Sequence, residues 1–316
     1  MSRPERPKIL CSACLTFCNC RYDGSRLNNE FVEMLKPYVD FVTVCPEMGI
    51  GEPSPREAIR IVTKSGVSRL MGSYSGIDHT DKMNQYIANF FATTEVAEID
   101  GIILKGKSPT CGFKDVKHYG NFGKVPALMT KTSGFFGGAV KNRFKELIIE
   151  DEGRLLNREI RDHFLTSVFL RFGFRQVKAS SQPLKALNTF HTNNKYLLMA
   201  YNQAALKRLG TIVANHAHLE SAEVISAYDQ ELNVIYASQL KPGKNVNMLL
   251  HLFGYFKNDL SADEKKFFLE QVALYQKDLV TFSALLLILK AWVVRFDEAY
   301  LKEQTIFSHY PIDLGR

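Results

Sequence analysis

Three cysteine-bearing turns carry the chemistry open to this chain. They read Cys11-Ser12-Ala13-Cys14-Leu15, Val44-Cys45-Pro46-Glu47 and Lys107-Ser108-Pro109-Thr110-Cys111-Gly112. All six cysteines (11, 14, 18, 20, 45 and 111) precede residue 112. A closed structural zinc site takes four ligands, commonly as close pairs. Cys11-x-x-Cys14 supplies one such pair, and no second Cys-x-x-Cys follows it. The same spacing occurs in dithiol redox motifs, but here it does not open a helix in the expected context. Three thiolates on a cubane iron–sulfur cluster would leave one iron open, a Lewis acid for an outside ligand. Buried structural cysteine is the competing reading, and spacing alone does not decide between them.

Two polar residues stand beside these thiols. Glu47 lies two residues past Cys45, and burial there would fit it for proton transfer near neutral pH. Ser108 lies three residues before Cys111, placed to hydrogen-bond a substrate or a water. The plainer alternatives are a salt-bridged glutamate and a serine that shapes its turn.

Each turn follows a short apolar stretch, at 8–10, 40–44 and 99–104. Helical spacing is expected at 29–37 and 78–97, and a helix start with proline near its first turn at 54–57. Strands alternating with helices predict a parallel, Rossmann-like α/β sheet, and such sheets hold ligands along the C-terminal edge of their strands. Ser133-Gly134-Phe135-Phe136-Gly137-Gly138 precedes a helix expected at 139–147. It fits neither phosphate-loop pattern and reads first as a turn. After Asp151-Glu152-Gly153-Arg154-Leu155 the pattern turns helical, with helices expected at 157–172, 194–213, 219–238, 245–258, 262–277 and 279–299. The domains expected are therefore an α/β domain at 1–158 and an all-α domain at 159–316.

The chain is 316 residues long with a net charge of +7 and has no low-complexity run. The charged start has no signal-peptide core, and the apolar run 279–294 is too short and too polar to span a bilayer. A cytoplasmic protein is expected, with a monomer favoured, and clustered cysteines there point to metal or redox chemistry rather than disulfides. Residues 101–145 carry nine Lys or Arg and a single acid, Asp115. Residues 163–219 carry seven Lys or Arg and no carboxylate. A polyanion such as RNA is the partner these stretches suggest, against the plainer reading of a solvated basic face. The candidate contacts are Lys105, Lys107, Arg171, Arg175, Lys195, Lys207, Arg208 and Lys257, the last within His251-Leu252-Phe253-Gly254-Tyr255-Phe256-Lys257, which mixes basic and aromatic residues. Trp292 reads as core.

Ser12-Ala13-Cys14-Leu15, Arg21-Tyr22-Asp23-Gly24, Cys45-Pro46-Glu47 and Lys107-Ser108-Pro109-Thr110-Cys111-Gly112 together resemble the thiouracil desulfidase family. Asp151-Glu152-Gly153-Arg154-Leu155, Lys195-Tyr196-Leu197-Leu198-Met199-Ala200 and Gly254-Tyr255-Phe256-Lys257 resemble its two-domain bacterial form, which acts on 4-thiouridine in tRNA. The resemblance implies a [4Fe–4S] cluster on Cys14, Cys45 and Cys111, with Glu47 and Ser108 as the catalytic pair. It implies tRNA as partner and a thiolated uracil base as substrate; a Lewis-acidic iron that polarises the C–S bond then leads to the expectation of hydrolytic loss of sulfide without external electrons. The alternatives are a desulfidase of free thiouracil or thionucleosides and a non-catalytic iron–sulfur RNA-binding sensor. Phe17 departs from the family pattern, where glycine is common. Cys11, Cys18 and Cys20 are extra thiols, so Cys18 or Cys11 stands as the alternative first ligand.

Overall fold

The computed structural model describes residues 5–93, 98–238 and 242–315. Residues 1–4 and the expected end of the helix at 94–97 lie outside them. The chain divides into two compact units within one helix: 1–172 with 311–316, and 173–310.

The first unit is built on a four-stranded parallel sheet in the order β2-β1-β5-β8. Its strands are β1 (Lys8–Ser12), β2 (Asp40–Val44), β5 (Gly101–Leu104) and β8 (Ile149–Asp151). Ile9, Leu10, Ile102, Ile103 and Leu104 are fully buried, as expected of parallel strands covered on both faces. Helix α1 (Glu30–Leu35) follows β1, capped by Asn29, whose Oδ1 accepts from the Val32 amide at 2.9 Å. The four-residue helix α2 (Pro46–Gly49) follows β2 at once. Helices α3 (Thr80–Thr93) and α4 (Phe135–Arg143) supply Met83, Ile87, Phe136 and Val140 to one core with Leu10, Ile102 and Leu104. On the other face Gly101 meets helix α5 (Arg158–Ala179), where an added Cβ would lie 2.5 Å from Val168.

A second sheet, not expected from the sequence, has the order β4-β3-β6-β7. It comprises β3 (Ile59–Lys64), β4 (Val67–Gly72), β6 (Val116–Tyr119) and β7 (Ala127–Thr132). The helix start expected at 54–57 is therefore overturned. Glu57 accepts from the Tyr74 and Ser75 amides, and Arg56 turns back to Glu47, so neither continues a helix. The β-branched run Ile59, Ile61 and Val62 then pairs with β4 across Ser65-Gly66, both at positive φ.

The second unit is all helical: the end of α5, then α6 (Pro183–Tyr201), α7 (Gln203–Ala214), α8 (Ser221–Tyr236), α9 (Pro242–Phe253), α10 (Ala262–Tyr275), α11 (Phe282–Arg295) and α12 (Ala299–Lys302). The single helix expected at 194–213 is two. Asn202 breaks it, and its Oδ1 accepts from the Ala205 amide at 3.1 Å as the cap of α7. The start of α10 has the capping box read from sequence, Ser261 with Glu264. Trp292 is buried against Phe253, Phe256 and Phe268. Among the described residues no helix is long and apolar enough to cross a membrane.

Candidate functional site

The three turns meet. Strands β1, β2 and β5 run side by side in one direction, so the loops leaving their C-terminal ends share one edge of the sheet. A cavity of about 280 Å³ opens there, lined among others by Cys14, Cys45, Cys111, Glu47, Lys105 and Ser108. That is just below the roughly 300–1,000 Å³ usual for ligand pockets, room for a compact group and one small ring.

Cys20 lines the same cavity, whereas Cys11 and Cys18 do not. The alternation of β1 explains Cys11, which points to the face opposite Ser12 and is fully buried. Of the thiols weighed as first ligand, Cys14 alone lines this cavity, and Cys20, to which the sequence gave no role, lines it as well. A hydrogen bond with Cys14 is the main cause that lifts the Cys20 thiol to about 12. Cys45 is raised by its contact with Cys20 and then by burial. Burial pushes Cys111 up to about 12, against a hydrogen bond from Ser12. Such thiols are protonated at neutral pH, so metal loading releases protons.

Among the described residues no three Cys, His, Asp or Glu side chains converge closely enough to hold a single metal ion. A cubane cluster has a different requirement: each thiolate binds its own iron, so the ligands surround a body rather than a point. Soft thiols from three separate loops around one cavity fit that demand.

Glu47 is held by several partners at once. Arg56 Nε donates to Glu47 Oε2 at 2.9 Å, and Arg56 Nη2 joins the same oxygen. Thr110 Oγ1 donates to Glu47 Oε1 at 2.7 Å. Ser108 Oγ sits 2.9 Å from Thr110 Oγ1 and accepts from the amides of Thr110 (3.2 Å) and Cys111 (3.1 Å). With Thr110's proton on Glu47, Ser108's own proton points to Thr110. Ser108, Thr110 and Glu47 form one hydroxyl-to-carboxylate chain. The sequence reasoning missed Thr110 and Arg56; Thr110 was in view inside the third motif, but Arg56 is nine positions from Glu47 and only the fold pairs them.

The remaining motifs support this edge. Glu152 accepts from the Lys105 ammonium (2.6 Å) and from the Gly106 amide (2.7 Å), which fixes the loop after β5. Asp151 Oδ1 accepts from the Gly153 and Arg154 amides. The glycine turn before α4 clamps the third cysteine loop: the Gly134 amide donates to Gly112 O (2.6 Å), Phe135 to Pro109 O (3.1 Å) and Gly137 to Thr110 O (2.9 Å). Those amides are engaged by backbone carbonyls, in agreement with a turn rather than a phosphate site.

The eight candidate nucleic-acid contacts are engaged in different ways. Lys105 is held by Glu152. Arg171 donates to Glu146 O at 2.6 Å and Arg175 is half-buried. Arg208 pairs with Glu231 at 2.7 Å, while Lys195 lies over the Tyr196 ring. Lys107, Lys207 and Lys257 are exposed. The acid-free stretch is thus partly neutralised by α8, whose Asp229 and Glu231 reach Lys178 and Arg208.

Residues 9–152 match the family model described as 2-thiouracil desulfurase. The uncharacterized protein YbbK of Bacillus subtilis is 34% identical over 109 residues, which span 33% of this chain and 72% of that protein. The chain belongs to the 2-thiouracil desulfurase family. Residues 195–311 match a second model, a protein family of unknown function termed DUF1722. The uncharacterized protein YbgA of Escherichia coli is 23% identical over 151 residues, 48% of this chain and 89% of that protein. Among solved structures, a [4Fe-4S]-dependent thiouracil desulfidase, TudS, is 21% identical over 48% of this chain and 94% of its own, with a TM-score of 0.38, a slight likeness.

Proposed function

We propose that this chain is a desulfidase that replaces the sulfur of a thiolated uracil base with oxygen, using a [4Fe–4S] cluster on Cys14, Cys45 and Cys111. The observation that carries the reading is the meeting of these thiols with the Glu47–Thr110–Ser108 chain in one cavity. Family membership supports the substrate class. A bound cluster with an iron able to take an outside ligand supplies a Lewis acid suited to a soft thiocarbonyl sulfur.

The chain's own residues do the proton work. Water adds at the thiocarbonyl carbon as Glu47 Oε1 takes its proton, directly or through Thr110 and Ser108. Each hydroxyl in that chain gives one proton and receives one, so the relay resets itself. Arg56 holds the Glu47 carboxylate at the cavity wall, 2.9 Å from its Nε, and keeps it from swinging to solvent. As the adduct collapses to the carbonyl, its hydroxyl proton and the proton held on Glu47 both pass to the departing sulfur, giving the oxygenated base and hydrogen sulfide with no electron donor. Tyr22, 47% exposed among the lining residues, offers a ring on which a base can stack.

The substrate we infer is 4-thiouridine in tRNA, its base turned out of the stack. Support comes from exposed Lys107 beside the site and from exposed Lys207 and Lys257 in the helical unit, which would read phosphates. One observation favours free thiouracil instead: every lining residue of the cavity belongs to the first unit, so the chemistry itself needs nothing from the second.

Sulfide release by the full chain from thiolated tRNA and from free 4-thiouracil tests both readings. Thr110→Val and Glu47→Gln should load iron normally yet release sulfide about 10²–10⁴-fold more slowly, the usual scale of general acid–base catalysis. Replacing Lys195, Lys207 and Lys257 together by Ala should slow only the tRNA reaction. Undiminished turnover by Glu47→Gln refutes the mechanism, an unchanged tRNA rate in the triple variant refutes these lysines as tRNA contacts, and turnover of free 4-thiouracil with none of thiolated tRNA refutes tRNA as substrate.

A further inference from the structure

Cys20 is the one cavity thiol to which neither spacing nor resemblance gives a task. It is 1% exposed and lies within hydrogen-bonding reach of both Cys14 and Cys45. Its loop has no helix or strand of its own but is tied down on both sides of the thiol. Ser54 Oγ donates to the carbonyls of Asn19 (2.8 Å) and Arg21 (3.1 Å), the Arg56 amide donates to Tyr22 O (2.8 Å), and Arg56 Nη2 donates to Cys20 O (3.0 Å). These bonds hold the Cys20 side chain inward, while Cys18, two residues earlier, stays off the cavity wall. The anchor is shared with the chemistry, since the same guanidinium pairs with Glu47.

We propose that Cys20 is a displaceable fourth thiolate, which occupies the iron left open by Cys14, Cys45 and Cys111 until the substrate's sulfur replaces it. The proposal rests on the cluster reading above. A thiolate confined to the same cavity competes at high effective concentration for a soft metal position. Only an equally soft donor displaces it readily, so the cap admits thiocarbonyl sulfur and turns away water and oxygen ligands. The exchange is a substitution without oxidation or reduction. The iron–Cys20 bond breaks with its electron pair on the Cys20 sulfur, which takes a proton from solvent. A lone pair of the substrate sulfur forms the new bond.

The test uses the full chain, reconstituted anaerobically, as wild type and as Cys14→Ala, Cys20→Ala, Cys45→Ala and Cys111→Ala. The readouts are iron and sulfide per chain and the electron paramagnetic resonance signal of a three-iron form after mild oxidation. The Cys14, Cys45 and Cys111 variants should lose the cluster. Cys20→Ala should load four irons and then shed one on oxidation, giving the three-iron signal, whereas wild type retains all four. If Cys20→Ala and wild type shed iron alike, Cys20 does not cap the cluster and the proposal falls while the cluster reading stands. If folded Cys20→Ala loads fewer than four irons, Cys20 is an obligatory ligand and the proposal also falls. If wild type itself binds no iron and sulfide, the cluster reading fails with it. Cys20→Ser replaces the alanine variant should the latter lose its helical circular dichroism.

Discussion

Arg56 ties together more of this site than any other side chain, and its removal gives a worked prediction. Its side chain is 3% exposed and that of Glu47 12%. The guanidinium donates to Glu47 from Nε and Nη2, to Cys20 O at 3.0 Å and to Pro53 O at 3.0 Å. Arg56→Met keeps the apolar stem and deletes all of these. Breaking a buried ion pair by removing one partner costs on the order of 3–5 kcal/mol, because the other charge is left without compensation. Glu47 keeps its Thr110 bond, so the lower end applies, about 3 kcal/mol. For a unit of this size that corresponds to a fall of roughly 6–12 °C in melting temperature. The assay is thermal unfolding of the cluster-free chain followed by near-ultraviolet circular dichroism, reading the first transition. Arg56→Met/Glu47→Leu should recover much of the loss, since an apolar pair in place of a buried ion pair is often neutral. Arg56→Lys should fall between, with the charge kept but the planar fork lost. A shift below about 2 °C for Arg56→Met, or a double variant that loses the sum of both single effects, would refute the reasoning.

Two further outcomes follow from the packing and the buried imidazoles. Gly137→Ala would place a Cβ 2.6 Å from the Gly112 carbonyl, and it should destabilise the first unit by about 1–3 kcal/mol and lower iron loading, because the clamp on the Cys111 loop must open; thermal melts and iron assays check both. His191 is depressed below its ordinary value of 6.5 by burial and then by the Lys195 charge. The unfolded chain therefore binds more protons than the folded one as pH falls below about 6.5, so this contribution to stability is present above that pH and is lost as pH drops through the folded value. Melting temperature measured against pH should decline on that acid side. His191→Gln should lessen the decline without removing it, because burial also depresses His163.

The three cysteine turns, the short strands before them and the helical character of the second half are legible in the sequence, because each is a local pattern. An apolar run, a proline just after a thiol and residues at helical spacing declare themselves within a few positions. The Ser261 capping box is as local, and it is present as read. The second sheet was less legible. Its Ser65-Gly66 hairpin is a recognisable turn, but the strand it serves begins after Ser54-Pro55-Arg56-Glu57, which on its own looks like the start of a helix. What overrides that appearance is tertiary: Glu57 is drawn to the Tyr74 and Ser75 amides and Arg56 to Glu47.

The sequence by itself determined which atoms are available here: soft thiols, a carboxylate, hydroxyls and a surplus of cations. Only the tertiary structure decided which of them share a cavity. Parallel pairing of β1, β2 and β5 brings residues as far apart as 14 and 111 to one edge. Side-chain alternation along β1 turns Cys11 away, and the hydrogen bonds of the 19–22 loop turn Cys20 in. Those selections depend on pairing and register over long separations, and no local pattern records them.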